Sequence, residues 1–322
     1  MDAVLKNEIR LLRLACRGSY DLQALRMQMG LRLCANFRAR LKEKIEEDME
    51  GGDDEADLSE DALKVIDELK SSYRRLTDGV AKNRTLPDEK GFNGDALISS
   101  YTELVLVGQY VDLEAQEQRQ FRQMTKTLEK IPIYNEFLKK EHGVGPALAA
   151  VLITYFDPYK ARHISGFWKY SGLDVASDGL ARSRRKEHLI DREYTTRDGK
   201  KATRLSTTYN PWLRMKLLGG LAPSFLRSAS PRRKLYDDYR HRIITDPARI
   251  KITVAEWKKK YAAEENVRNL WPPARIHRAA MRYMCKMFLA DFWLAWRKLE
   301  GLPVTPTYHE ARRGYGHGEA AE

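Results

Sequence analysis

Apolar residues recur every three or four positions through most of this chain, a spacing that predicts helices. In residues 3–48, Leu25, Met29, Leu33, Phe37 and Leu41 repeat every four residues. Arg26, Arg32, Arg38, Arg40 and Lys42 occupy the other faces. This reads as one or two helices, with Gly18–Ser19 as the place for an interruption. Residues 46–61, EEDMEGGDDEADLSED, are acidic and nearly free of large apolar groups, the composition of a flexible loop. Leu63, Ile66, Leu69, Tyr73 and Leu76 restore helical spacing, with Ser59 positioned to cap them. Residues 83–95 break the pattern. Residues 96–130 read as a third long helix carrying Leu104, Leu106, Tyr110, Leu113 and Phe121. Residues 1–130 are therefore expected to form a long-helix bundle, coiled coil or dimerisation region.

Pro132 opens a second region. Residues 131–142, IPIYNEFLKKEH, predict a short helix with Tyr134, Phe137 and Leu138 inward. Then comes HGVGPALAAVLI, residues 142–153. Gly143-Val144-Gly145 makes a tight turn, and Pro146 suits the first position of the next helix, where its missing N–H removes no bond. Ala147, Ala149 and Ala150 keep that helix slim. This is the pattern of a helix–hairpin–helix. Two glycines leave main-chain N–H groups bare at a helix N-terminus, which is an anion site. Lys139 and Lys140 stand just upstream. Such a turn grips phosphates and reads no bases. The same residues also suit a plain αα-corner.

In FWKYSGL, residues 167–173, Ser165 is placed to cap a short helix and Gly172 to end it in a left-handed conformation. The densest basic run, LARSRRKEH, follows at 180–188 with Arg182, Arg184, Arg185 and Lys186. Asp198–Gly199 between strand-like flanks predicts a type I′ hairpin. Arg192, Arg197, Lys200, Lys201 and Arg204 decorate it, either as a ribbon along a groove or as a solvated loop. Pro211 starts another helix and Gly219–Gly220 allows a close approach. Residues 243–273 read as a polar insert. A last helix over 274–300 carries Ile276, Ala280, Tyr283, Met287 and Leu294 inward and Arg275, Arg278, Arg282 and Lys286 along one face. That face is open to phosphates or to solvent alone. Residues 304–322 read as a loose tail.

Charge sharpens the picture. The 322 residues carry a formal net charge of +12, concentrated in runs, which favours a polyanionic partner. Cys16, Cys34 and Cys285 stand far apart, without metal or disulfide spacing, and suit a reducing cytoplasm. The scattered histidines offer no ligand pair, so no metal or cofactor is expected. No run approaches the ~18 apolar residues of a membrane span.

From residue 131 to 303, five pieces stand in order: HGVGPALAAVLI, FWKYSGL, the basic segment, YNPWLRMKLLGG and RAAMRYMCKMFLADFW. In this order the chain resembles the C-terminal domain of the insertion-sequence transposases of the 110/116/902 group. The resemblance implies DNA recombination, a RuvC-like N-terminal domain holding magnesium on clustered carboxylates, a serine nucleophile followed by glycine, and in some members a guide RNA. Residues 1–130 depart from it, lacking an early aspartate on a strand. After Gly172 the chain reads Ser177-Asp178-Gly179, with Asp178 in the serine's place. Ser177 and Ser183 are neighbouring candidates, so no catalytic residue is assigned.

The expectation is a mainly α protein with a long-helix N-terminal region (1–130), a helix–hairpin–helix domain with one small β-hairpin (131–303) and a tail. It binds duplex DNA through Lys139, Lys140, Gly143, Val144, Gly145, Ala147, Arg182, Arg184, Arg185, Lys186, Lys200 and Lys201. A separate RuvC-like nuclease, a guide RNA or a second copy are its candidate partners. The alternatives are a serine-dependent transposase active alone, an RNA-binding protein or a scaffold.

Overall fold

A computed structural model describes residues 2–41, 59–78, 85–263 and 269–305; most of the acidic stretch and the tail from 306 lie outside the described residues. The chain is mainly helical, with one small antiparallel hairpin. It divides into two compact units, residues 14–124 and residues 1–13 together with 125–322.

Helix α1 (Ala3–Leu41) runs unbroken through Gly18–Ser19. A lone helical glycine is worth only about 1 kcal/mol against helix, too little to stop one this long. Leu33, Cys34 and Phe37 are buried on it, but Leu25 is half exposed. The reason is geometric: each four-residue step overshoots a full turn by about 40°, so an every-four repeat spirals off one face. In the 14–124 unit this seam meets α2 (Glu60–Leu76) and α3 (Tyr101–Leu128) through Ile66, Leu69, Tyr73, Leu104, Val107 and Tyr110. Ser59 Oγ accepts from the Ala62 N–H at 3.2 Å, as its position before α2 predicts. Phe121, expected inward, is partly exposed.

The larger unit is arranged on α11 (Pro273–Leu299). Its neighbours are α4 (Pro132–Glu136), α6 (Ile164–Tyr170), α9 (Arg233–Thr245) and a composite helix. That helix runs as α7 (Pro211–Met215), a π-helical stretch over Lys216–Leu221, and α8 (Ala222–Arg227). Pro223 lacks the N–H that a regular ladder needs there, and the widened turns precede it. Because α11 is packed from several sides, its buried set is wider than one stripe and includes Met284, Cys285, Phe288, Phe292, Trp293 and Trp296. Phe288 lies 5.2 Å from Phe225 and 6.1 Å from Phe137, ring to ring. Buried Arg297 is satisfied by main-chain carbonyls of Pro303, Ala161 and Pro158. Helix α5 (Pro146–Tyr155) packs against the π-helical stretch, where a methyl on Gly220 would come 3.4 Å from Leu148.

The hairpin pairs β1 (Leu189–Thr195) with β2 (Lys201–Thr207). The polar insert is more ordered than its composition predicts. It holds α10 (Val254–Ala262), started by a Thr253–Glu256 capping box. Strand β3 (Ile250–Lys251) pairs in parallel with β4 (Leu270–Trp271).

Candidate nucleic-acid interface

The turn between α4 and α5 is asymmetric. Gly143 adopts φ +98° and faces protein: a Cβ there would stand 2.8 Å from Ser228 Oγ and 2.9 Å from Phe225 Cδ1. Its carbonyl accepts from Ser224 Oγ at 2.7 Å. The missing side chain of Gly143 thus lets α8 and its C-cap Ser228 approach. Val144 also differs from expectation, because its N–H donates to Glu141 O at 3.1 Å within the turn. Gly145 is the open position, with nothing within 4 Å of its virtual Cβ. It stands as N-cap of α5 without a side-chain cap. The N–H groups of Ala147 and Leu148 have no acceptor among the described residues. Lys139 is exposed, while Lys140 pairs with Glu136 at 3.1 Å.

The basic run separates into two kinds of residue. Arg182 is mostly covered and holds Asp174 with two nitrogens, Nε at 3.0 Å and Nη2 at 2.8 Å. That hydrogen bonding raises its pKa and makes it a brace of the loop rather than a free contact. Arg184, Arg185 and Lys186 are exposed and form no ion pair among the described residues. Lys200 and Lys201 share that condition at the hairpin's end.

The hairpin is where predicted, with a different turn. Thr196 N donates to Lys200 O at 2.9 Å and Gly199 N to Thr196 O at 3.0 Å. Only Gly199 has positive φ, +76°. This is a three-residue loop with glycine in the left-handed position, whereas a type I′ turn needs two such residues. Both faces of the ribbon are largely open. Alternation places Arg192, Tyr194 and Arg204 on one face, and Asp191, Glu193 and Lys201 on the other. Arg192 is directly opposite Arg204, and Arg204 lies 5.2 Å from the Tyr194 ring. The sequence showed basic residues here; their sorting by face required the register.

One arrangement escaped the sequence reading. Ser183 Oγ is 3.1 Å from His188 Nδ1, and His188 Nε2 is 3.0 Å from Asp178 Oδ2. The Ser183 main-chain N–H also points at Nδ1, at 3.0 Å. Nδ1 therefore accepts, and the ring proton sits on Nε2, facing Asp178. His188 is buried. Hydrogen bonds from the Leu180 N–H and then His188 hold the Asp178 carboxyl below its usual range. Ser177 is exposed and its hydroxyl has no hydrogen-bond partner among the described residues. The signal was faint: a serine and a histidine five apart in an irregular loop have no fixed direction until the loop is folded.

Among the described residues, no three of His, Cys, Asp and Glu gather as a metal site, and no helix is long and apolar enough to cross a membrane. No family model, curated protein or solved structure matches this chain.

Proposed function

We propose that this chain is a DNA-binding protein acting in transposition or recombination of a mobile element. It holds duplex backbone phosphates on the exposed side of the Gly143–Gly145 turn and on the basic segment 182–204. The observation that carries the reading is the ribbon face of Arg192, Tyr194 and Arg204. Two arginines are register partners, with no carboxylate on that face and both strands largely exposed. Like charges so placed work against pairing, and a row of phosphates relieves them. The recombination setting rests on the resemblance alone. The compartment that suits three free, buried thiols is the cytoplasm. A separate nuclease subunit, a guide RNA or a second copy would complete the system.

The test is equilibrium binding of duplex DNA at low salt by the wild type and by Arg192→Glu/Arg204→Glu. The ribbon variant should lose at least tenfold in affinity while keeping its thermal midpoint. Equal affinity would remove the ribbon from the interface.

A second reading, a transposase with a serine nucleophile, is favoured by the Ser183–His188–Asp178 chain. Ser183 Oγ would attack a phosphodiester, pass its proton to His188 Nδ1 and displace a sugar hydroxyl, with Asp178 facing the imidazolium. Here Ser183→Ala should abolish nicking of supercoiled plasmid and any denaturation-resistant protein–DNA adduct, and Ser177→Ala should not. An adduct persisting in Ser183→Ala would end this reading.

A further inference from the structure

Away from the turn and the basic segment, the larger compact unit carries a further concentration of cations, where the start of α1 meets the loop after α5. Residues 1–13 belong to that unit. On α1, Lys6, Arg10 and Arg13 are spaced four and three apart, so their side chains leave one face of the helix. Together with Ile9, Asp157 and Tyr159 they line a cavity of about 380 Å³.

The three cations are held but not neutralised. Lys6 is exposed and its ammonium has no hydrogen bond or ion pair among the described residues. Arg10 Nη2 donates to Asn7 Oδ1 at 2.9 Å, and Arg13 Nη2 donates to Thr154 O at 2.6 Å. Both acceptors are neutral. Each takes one nitrogen, which orients the guanidinium and leaves its other N–H groups for a ligand. Asp157 is the carboxylate lining the cavity, and it forms no ion pair with any of them among the described residues. Its Oδ1 accepts from the N–H groups of Tyr159 at 2.9 Å and Lys160 at 3.4 Å, while its Oδ2 has no partner among the described residues. Glu8, the acid between Lys6 and Arg10 in sequence, pairs with Lys130 instead, at 3.5 Å. The Tyr159 hydroxyl is committed to Glu300, so this residue offers the cavity its ring.

Like charges four apart work against a helix, and α1 keeps Lys6 and Arg10 at that spacing with no acid to relieve them. A bound anion would relieve them. A bare anion, however, would meet the Asp157 carboxylate, whose repulsion opposes it. The ligand that suits both features carries phosphates at one end and hydrogen-bond donors at the other.

We infer that this cavity is a nucleotide-binding site. Phosphate oxygens lie along Lys6, Arg10 and Arg13, a row about 10 Å long, which suits two phosphates better than one. Ile9 and the Tyr159 ring meet the apolar faces of sugar and base, and Asp157 Oδ2 accepts from a sugar hydroxyl or a base amino group. A free nucleoside diphosphate and the phosphorylated end of a nucleic-acid strand share this chemistry. The site does not rest on the function proposed above, since a free nucleotide satisfies it without any duplex.

The test titrates the full chain with ADP, with inorganic pyrophosphate, and with a short single DNA strand with and without a 5′-phosphate. Lys6→Met/Arg10→Met removes two charges whose side chains have no partner outside α1, so the ligand-free thermal midpoint should not change. The wild type should bind ADP about tenfold or more tighter than pyrophosphate, and the double variant should lose about tenfold or more for ADP. Asp157→Asn keeps an oxygen for the two N–H groups but replaces the carboxylate, so pyrophosphate should bind more tightly and the preference for ADP should shrink. A strand that needs its 5′-phosphate and is displaced by ADP would identify the ligand as a strand end; ADP binding with the strand ignored would identify it as a free nucleotide. Pyrophosphate bound as tightly as ADP by the wild type would overturn the nucleotide assignment. ADP affinity unchanged in the double variant, or a wild type that binds no ADP, would overturn the site. The ribbon, tested with duplex DNA on Arg192 and Arg204, stands or falls separately.

Discussion

Gly143 and Gly145 are two residues apart, and their missing side chains serve different ends. At Gly143 the left-handed backbone and the contacts with Phe225 and Ser228 leave no room for a methyl. Gly143→Ala should therefore destabilise the fold by about 2 kcal/mol or more, from backbone strain and overpacking, read as a lower denaturation midpoint. At Gly145 the backbone is ordinary, φ −78°, and the space beyond is open. Aspartate is a better N-cap than glycine by a few tenths of a kcal/mol, and its carboxylate would cover the N–H groups that a phosphate needs. Gly145→Asp should keep or slightly raise stability while weakening DNA binding; unchanged binding would make the turn purely architectural. Two glycines were legible in the sequence as a tight turn. Which of them faces solvent was not, because that depends on α8, some eighty residues further on.

Among the elements, the connection from α2 to α3 is organised by one side chain. Asp95 Oδ1 accepts from the N–H groups of Leu97 (2.9 Å) and Ile98 (2.8 Å), and Oδ2 from Ser72 Oγ (2.6 Å) and Arg75 (3.0 Å). Burial alone would raise this carboxyl; the hydrogen bonds from Ser72, Ile98, Arg75 and Leu97 outweigh it and hold the pKa to about 2. A pKa depressed in the folded state gives stability that is present above the unfolded value, near 3.9, and lost as pH falls toward 2. Denaturation of the 14–124 helices, followed by circular dichroism, should show that acid loss in the wild type. Asp95→Ala should lack this contribution to it and be weaker at neutral pH by about 1–3 kcal/mol, because buried donors lose their acceptor. The sequence showed a break at this connection and no more, since a loop has no period from which to read its hydrogen bonds. Elements with a period fared better: the α2 cap, the start of α11 and the glycine at the end of α6 stand where spacing put them. Leu25 and Phe121 did not turn inward, because an apolar residue on a long helix is buried only where a partner helix lies.

At the scale of the molecule, the charge of +12 is an excess with an address. Arg182 and Arg232 are absorbed into ion pairs with Asp174 and Glu141. The exposed cations of 184–204 and the row of Lys6, Arg10 and Arg13 belong to the same compact unit. If that unit meets a duplex, log K should fall linearly with log salt at about 0.9 per phosphate contacted. The slope of the ribbon variant in the titration above should be shallower than the wild type's by about 1.8. Equal slopes with lower affinity would mean that the ribbon acts by shape and not by neutralising phosphates.

Taken by itself, the amino-acid order determined the helical class, the helix starts at Pro132 and Pro211, the basic hairpin and the positive balance. All of these are local or additive properties, written in spacing and composition. Only the tertiary structure decided that Gly143 packs on α8, that Arg182 braces Asp174, that Lys6, Arg10 and Arg13 line a cavity with Asp157, and that Ser183 meets His188. Each of those depends on the direction of a side chain relative to a neighbour outside its own helical turn, and periodicity does not encode that direction.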